Sequence, residues 1–163
     1  MNPTLLHPSQ RPDTGTALPG ADAPEFSPQD TSRFGVVAIA ADSVLHFPEG
    51  LIGLGGSRYA LISSDPASPF LWLQSLDDAA LALPVANPHR FFTDFAVELD
   101  AEDVALVGIE GDEPVDVLVT VTASPERVTA NLKAPILIRG NTAYQIINRA
   151  AGAQVKTPLL PAA

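Results

Sequence analysis

Between Pro69 and Pro88, which read PFLWLQSLDDAALALPVANP, two apolar runs flank the best turn signal in the sequence. Phe70 to Leu73 form one short apolar run. Leu81, Leu83 and Val85 alternate with Ala82, Pro84 and Ala86, the period of two that turns one face of a strand inward. Leu76-Asp77-Asp78-Ala79 lies between them with the turn-forming residues of a hairpin connection. Trp72, the only tryptophan, places this hairpin at the centre of the core. Pro84 has no amide hydrogen to give to a ladder, so its strand belongs at an edge or beside a bulge.

The same reading finds further strands on either side. Phe34 to Ala40 and Val44 to Phe47 are β-favouring runs separated by Ala41-Asp42-Ser43, which predicts an opening hairpin. Tyr59 to Ser63 predicts a strand leading into the central hairpin. Val115 to Thr122 is the cleanest alternation, with four valines on one face and Asp116, Leu118, Thr120 and Thr122 on the other. After a turn at Ser124-Pro-Glu-Arg, three short strands follow at Val128–Leu132, Pro135–Arg139 and Ala143–Ile147, with Gly140-Asn141 as a hairpin signal. A short helix is expected within Glu98–Gly108, capped by Asp100 with Asp103 three residues on. Strands spaced by about eight to twelve residues predict an all-β fold, a small antiparallel barrel-like domain with at most one or two short helices.

Composition changes this picture at the N-terminus. Six prolines among residues 1–33, mixed with Ser, Thr, Asp and Gly and without apolar period, predict a disordered tail there and a single domain over 34–160. No apolar run approaches the about eighteen residues that span a bilayer, and MNPTLLHPSQRPD lacks the basic and apolar regions of a signal peptide. The absence of cysteine fits a reducing compartment. The expectation is a soluble, cytoplasmic monomer.

Charge adds a second layer. From Asp94 to Asp116 there are nine acidic residues and no basic one; beyond Glu126 come five basic residues and no acidic one. Glu98, Asp100, Glu102, Asp103, Asp112, Glu113 and Asp116 are therefore candidate protein-binding residues. Such a balance disfavours nucleic acid and favours a basic protein, since a patch of one sign steers its opposite. The simpler alternative is a solvated face that maintains solubility.

Candidate chemistry is sparse. His7, His46 and His89 show no metal-ligand spacing, and no serine sits in a nucleophile elbow. The loop Phe47 to Gly56 carries four glycines and a proline but lacks the lysine and hydroxyl of a phosphate loop. No catalytic residue, cofactor or metal is expected. The rival class is a small-molecule-binding β-barrel or an unrecognised hydrolase, served by that loop and by the Phe91, Phe92, Phe95 cluster. The simpler role for the cluster is core, or a lid on a barrel end. Gln74 and Asn131 interrupt apolar β-runs, and each amide is expected to satisfy backbone groups.

Five pieces in order resemble the flagellar assembly factor FliW family. They are Phe47-Pro-Glu-Gly50-Leu51-Ile-Gly-Leu, Leu73-Gln74-Ser75, the run from Leu83 through Pro88 to Phe95, Val128-Thr-Ala-Asn131-Leu132-Lys-Ala-Pro135-Ile, and Gln145. Leu54, Asn87 and Phe95 depart mildly from the family's usual Phe, Asp and Tyr. The resemblance implies a non-enzymatic β-barrel domain whose motif residues are structural. It also implies two protein partners: the RNA-binding translational regulator CsrA, whose repression of flagellin translation is antagonised, and flagellin itself, in a partner switch.

Overall fold

The computed structural model describes residues 4–6, 25–108 and 114–159. In chain order the strands begin with β1 (Thr4–Leu6), β2 (Phe26–Thr31), β3 (Gly35–Ala40), β4 (Leu45–His46), β5 (Arg58–Ser63), β6 (Phe70–Ser75) and β7 (Ala82–Ala86). A helix, α1 (Ala101–Val107), precedes β8 (Asp116–Ala123), β9 (Val128–Ala130), β10 (Ile136–Arg139), β11 (Thr142–Gln145) and β12 (Thr157–Pro158).

Seven of these strands close a ring, β4-β5-β6-β7-β8-β10-β11 and back to β4. Closure removes sheet edges, the standing hazard of small β domains. All ring pairs are antiparallel except β11 with β4, which meet in parallel at Thr142 and His46. The eight-residue β8 lets one strand serve two neighbours on its outer side: Asp116 to Leu118 pair with β10, and Val121 to Ala123 pair with β9. β9 then carries β12.

Alternation decides which side chains enter the ring. Tyr59 and Leu61 of β5, Leu73 of β6, Val85 of β7, Leu118 of β8 and Ile136 and Ile138 of β10 fill the interior with Leu45, Phe47 and Leu51. The opposite faces are covered in three places. Ala60 and Ile62 lie under Val37 and Ile39 of β3. Leu137 and Ile146 lie under Val107 of α1. Val119 and Val121 lie with Leu132 and Leu159 under Phe91, Phe92 and Phe95. Strands buried on both faces read as near-continuous apolar runs, as β5 and β10 do.

The central hairpin forms as β6 and β7, in register from Phe70 with Ala86 to Gln74 with Ala82. Pairing of β7 with β8 starts only at Val85, one residue past Pro84, so the proline sits where the outer ladder has not begun. Trp72 corrects the sequence reading. It is half-buried on the outer face, edge-on to Phe34 and with the Arg33 guanidinium 4.0 Å above its ring, while Tyr59, Phe47 and Leu73 hold the centre.

The opening hairpin also takes a different partner. β3 pairs with β2 along all six residues, whereas β4 joins β5 and β11; Ala41–Ser43 forms a 3-10 turn between the two. Residues 26–31 of the expected disordered tail are thus the strand β2, and Thr4–Leu6 lies beside β5. β2 contributes backbone hydrogen bonds rather than apolar side chains, which is why periodicity misses it. Thr31 closes its turn: its hydroxyl accepts from Phe34 N and donates to Gly35 O, each at 2.8 Å. Residues 1–3 and 7–24, the rest of the expected tail, lie outside the described residues.

Candidate protein-binding surface

The glycine-rich loop is fixed from below. Gly50 turns the chain at φ +71, a left-handed backbone that favours glycine, and its Cβ position lies in ordinary contact, 3.4 Å, with the Gly55 and Gly56 backbone of the loop's other limb. Leu51 is buried in the barrel and bridges to Gly55. Tyr59 Oη donates to Gly55 O at 2.9 Å. Burial, followed by the Asp77 and Asp78 charges, holds that phenol above its ordinary pKa, so it remains a donor. From the far side, Gln145 Oε1 accepts from Ile52 N at 2.8 Å while its Nε2 donates to Ala134 O. The tip therefore presents Ile52 and Leu54, 57% and 50% exposed, on a pinned backbone.

Asp77 fixes the start of β5. Its Oδ2 accepts from Ser57 N and Arg58 N, both at 3.0 Å, and its Oδ1 pairs with the Arg58 guanidinium. The Ser57 backbone bond first, then Arg58, lowers its pKa. A carboxylate depressed on folding stabilises above its unfolded pKa, about 3.9, and that contribution fades as pH falls through the folded value. Asp77→Asn is expected to cost about 1–2 kcal/mol at pH 7, reduced by solvent screening at this exposed site. Below about pH 4 its difference from the parent should shrink. Urea unfolding of both proteins from pH 7 to 3 checks this; a constant gap contradicts it.

Leu73, Gln74 and Ser75 are all buried in β6. Gln74 Nε2 lies within hydrogen-bond reach of the Ser75, Ala79 and Leu81 carbonyls, and Ser75 Oγ accepts from Asp77 N and Asp78 N. Gln74 Oε1 is buried without a partner among the described residues. Pro88, buried, opens a short 3-10 turn that Asn87 caps through His89 N. Asn131 Oδ1 accepts from Lys133 N and Ala134 N, shaping the turn that buries Leu132 and brings Pro135 O to Ile146 N. These side chains hold backbone; their hydrogen bonds point inward.

The acidic residues fall into two groups. Asp100 is consumed locally. It caps α1 by accepting from Asp103 N at 2.8 Å and pairs with Arg149 at 2.9 Å. The capping bond, then Arg149, holds its carboxyl below the usual range; burial and the Asp100 charge push Asp103 above it. Glu98 and Glu102 are exposed, and neither they nor Asp94 pair with a base among the described residues. Asp116 opens β8. Asp112 and Glu113 lie outside the described residues.

Beside this segment is a half-open cavity of about 400 Å³. Phe92, Asp94, Phe95, Glu98, Leu132 and the small residues 150–153 line it. Asn148, fully buried, ties the walls together. Its Oδ1 accepts from Glu98 N and Ala150 N, and its Nδ2 donates to Ala96 O and Leu132 O. Arg149 N also donates to Glu98 O, so the main chain of Glu98 is held on both sides. Asn148 escaped the sequence reading, although an Asn directly after Ile146-Ile147 meets the criterion that singled out Gln74 and Asn131.

Neither His46 nor His89 joins a metal-type cluster among the described residues; His89 stacks edge-on against Phe95 at 5.3 Å. No described helix is long and apolar enough to cross a membrane.

The profile of the FliW protein family matches residues 28–159, from within β2 to the residue after β12. Flagellar assembly factor FliW 2 of Desulfotalea psychrophila is 33% identical over 132 residues, which are 78% of this chain and 87% of that protein. Flagellar assembly factor FliW of Nitratidesulfovibrio vulgaris is 40% identical over 111 residues, 66% of this chain and 64% of that protein. A crystal structure titled as the flagellar assembly factor FliW aligns with a TM-score of 0.75 at 27% identity, over 83% of this chain and 98% of the other. With a family match that contains the whole ring of strands, the chain belongs to the FliW family of flagellar assembly factors.

Proposed function

We propose that this protein works in the cytoplasm without catalysis, by binding a CsrA-like translational regulator and relieving its repression of flagellin translation. Flagellin is the competing partner, and its accumulation withdraws the protein from the regulator. The observation that carries the reading is an acidic surface left unneutralised, Asp94, Glu98 and Glu102, on a FliW-family barrel whose interior is filled by its own side chains. An acidic face repels RNA and attracts a protein basic enough to bind it.

Two measurements bear on this. Purified chain is expected to bind CsrA and flagellin from the same source, and flagellin is expected to reduce the amount of CsrA bound. Binding to neither overturns the proposal. Changing Asp112, Glu113 and Asp116 together to Asn or Gln is expected to slow CsrA association severalfold and flatten its salt dependence, because rim charges act mainly on association rate. Surface binding kinetics at several salt concentrations read this, with the melting temperature as fold control. An unchanged association rate returns the segment to a solvated face.

A further inference from the structure

We propose that the cavity between Phe92, Phe95 and Glu98 is a socket for a single arginine or lysine side chain of the protein partner. This rests on the reading of that partner as a basic regulator, and it names the place and the kind of contact.

The floor is apolar and aromatic: Phe92, Phe95 and Leu132. Asp94 and Glu98, both exposed and without a base among the described residues, are among the cavity's lining residues, and no basic side chain lines it. Lys133, Arg149 and Lys156 each adjoin a lining residue in sequence without lining the cavity themselves, and Arg149 reaches Asp100. An apolar channel with carboxylates and aromatic rings suits a long cationic side chain, whose methylene stem packs while its head meets negative charge. An apolar side chain would leave both acids unanswered. An acidic one would be repelled.

The site is also pre-organised. Asn148 bonds to backbone on both sides of the cavity, and the Glu98 main chain is held through its N–H and its carbonyl. Pre-organised sites lose less ordering entropy on binding. The opposite wall, Ala150-Ala151-Gly152-Ala153, is built from small side chains, and that leaves the room. Ala151 is exposed, so a larger residue there fills the mouth without disturbing the core.

The test uses the full chain and the CsrA-like regulator. Ala151→Trp and the pair Asp94→Asn with Glu98→Gln are each expected to weaken regulator binding at least tenfold, with unchanged melting temperature. Changing the partner's contributing Arg or Lys to Ala in the background of the carboxylate pair should then cost little more, because both changes remove the same contact. If the parent binds but both variants bind within twofold of it, the socket is wrong and the proposed function stands. If the parent does not bind, the proposed function fails and the socket with it. If Ala151→Trp alters only self-association of the chain, the cavity receives a second copy, which also overturns the inference.

Discussion

Gly56→Ala is expected to lower stability by about 2–5 kcal/mol, the sum of a left-handed backbone held by a non-glycine residue and an overpacked contact. At φ +77, a Cβ on Gly56 would sit 2.6 Å from Tyr59 Oη, and Tyr59 is a fully buried ring that stacks edge-on against Phe47. To make room the phenol must move, and it then loses its bond to Gly55 O. Gly53 supplies the control. It shares the backbone conformation, at φ +80, but nothing lies within 4 Å of its Cβ position. Gly53→Ala should therefore cost only the backbone part, about 1–2 kcal/mol. Urea unfolding of both variants separates the two terms; equal midpoints would show that Tyr59 yields freely and that the loop is not pinned through it.

Asn148→Ala is expected to cost about 2–4 kcal/mol and to weaken regulator binding as well. The change strands four backbone groups, the amides of Glu98 and Ala150 and the carbonyls of Ala96 and Leu132, around a side chain with no exposure. Buried groups left unpaired are what makes such substitutions severe. Asn148→Asp keeps the acceptor and removes the donors, which at neutral pH sets a carboxylate against two carbonyl oxygens. Its folded-state pKa is raised, so the lost stability should return as pH falls and the group protonates. Thermal unfolding across pH reads this. A deficit that does not shrink on acidification argues against the amide's role as donor.

What the sequence showed, and what it hid, follows from the range of the interactions. The β6–β7 hairpin, β8, the Gly140-Asn141 turn and the Asp100 cap of α1 were legible because each is decided within a few residues, by alternation, turn chemistry or a capping side chain. Strand β2 carries no apolar period and is defined by its backbone register to β3, so its sequence reads as tail. Size alone points Trp72 to the centre, yet strand alternation sends Leu73 inward and Trp72 out beneath Arg33 and Phe34. The charge run was visible as composition. That Asp100 also pairs with Arg149, whereas Glu98 lines a cavity, depends on partners about fifty residues away and left no local signature.

The central claim is the exchange of partners, and reconstituted translation tests it most directly. A flagellin messenger repressed by the CsrA-like regulator is translated with rising amounts of the purified chain, then with free flagellin added. The account predicts that the chain restores translation in proportion to its ratio to the regulator and that added flagellin abolishes the effect. Translation that stays repressed at a large excess of folded chain would contradict it.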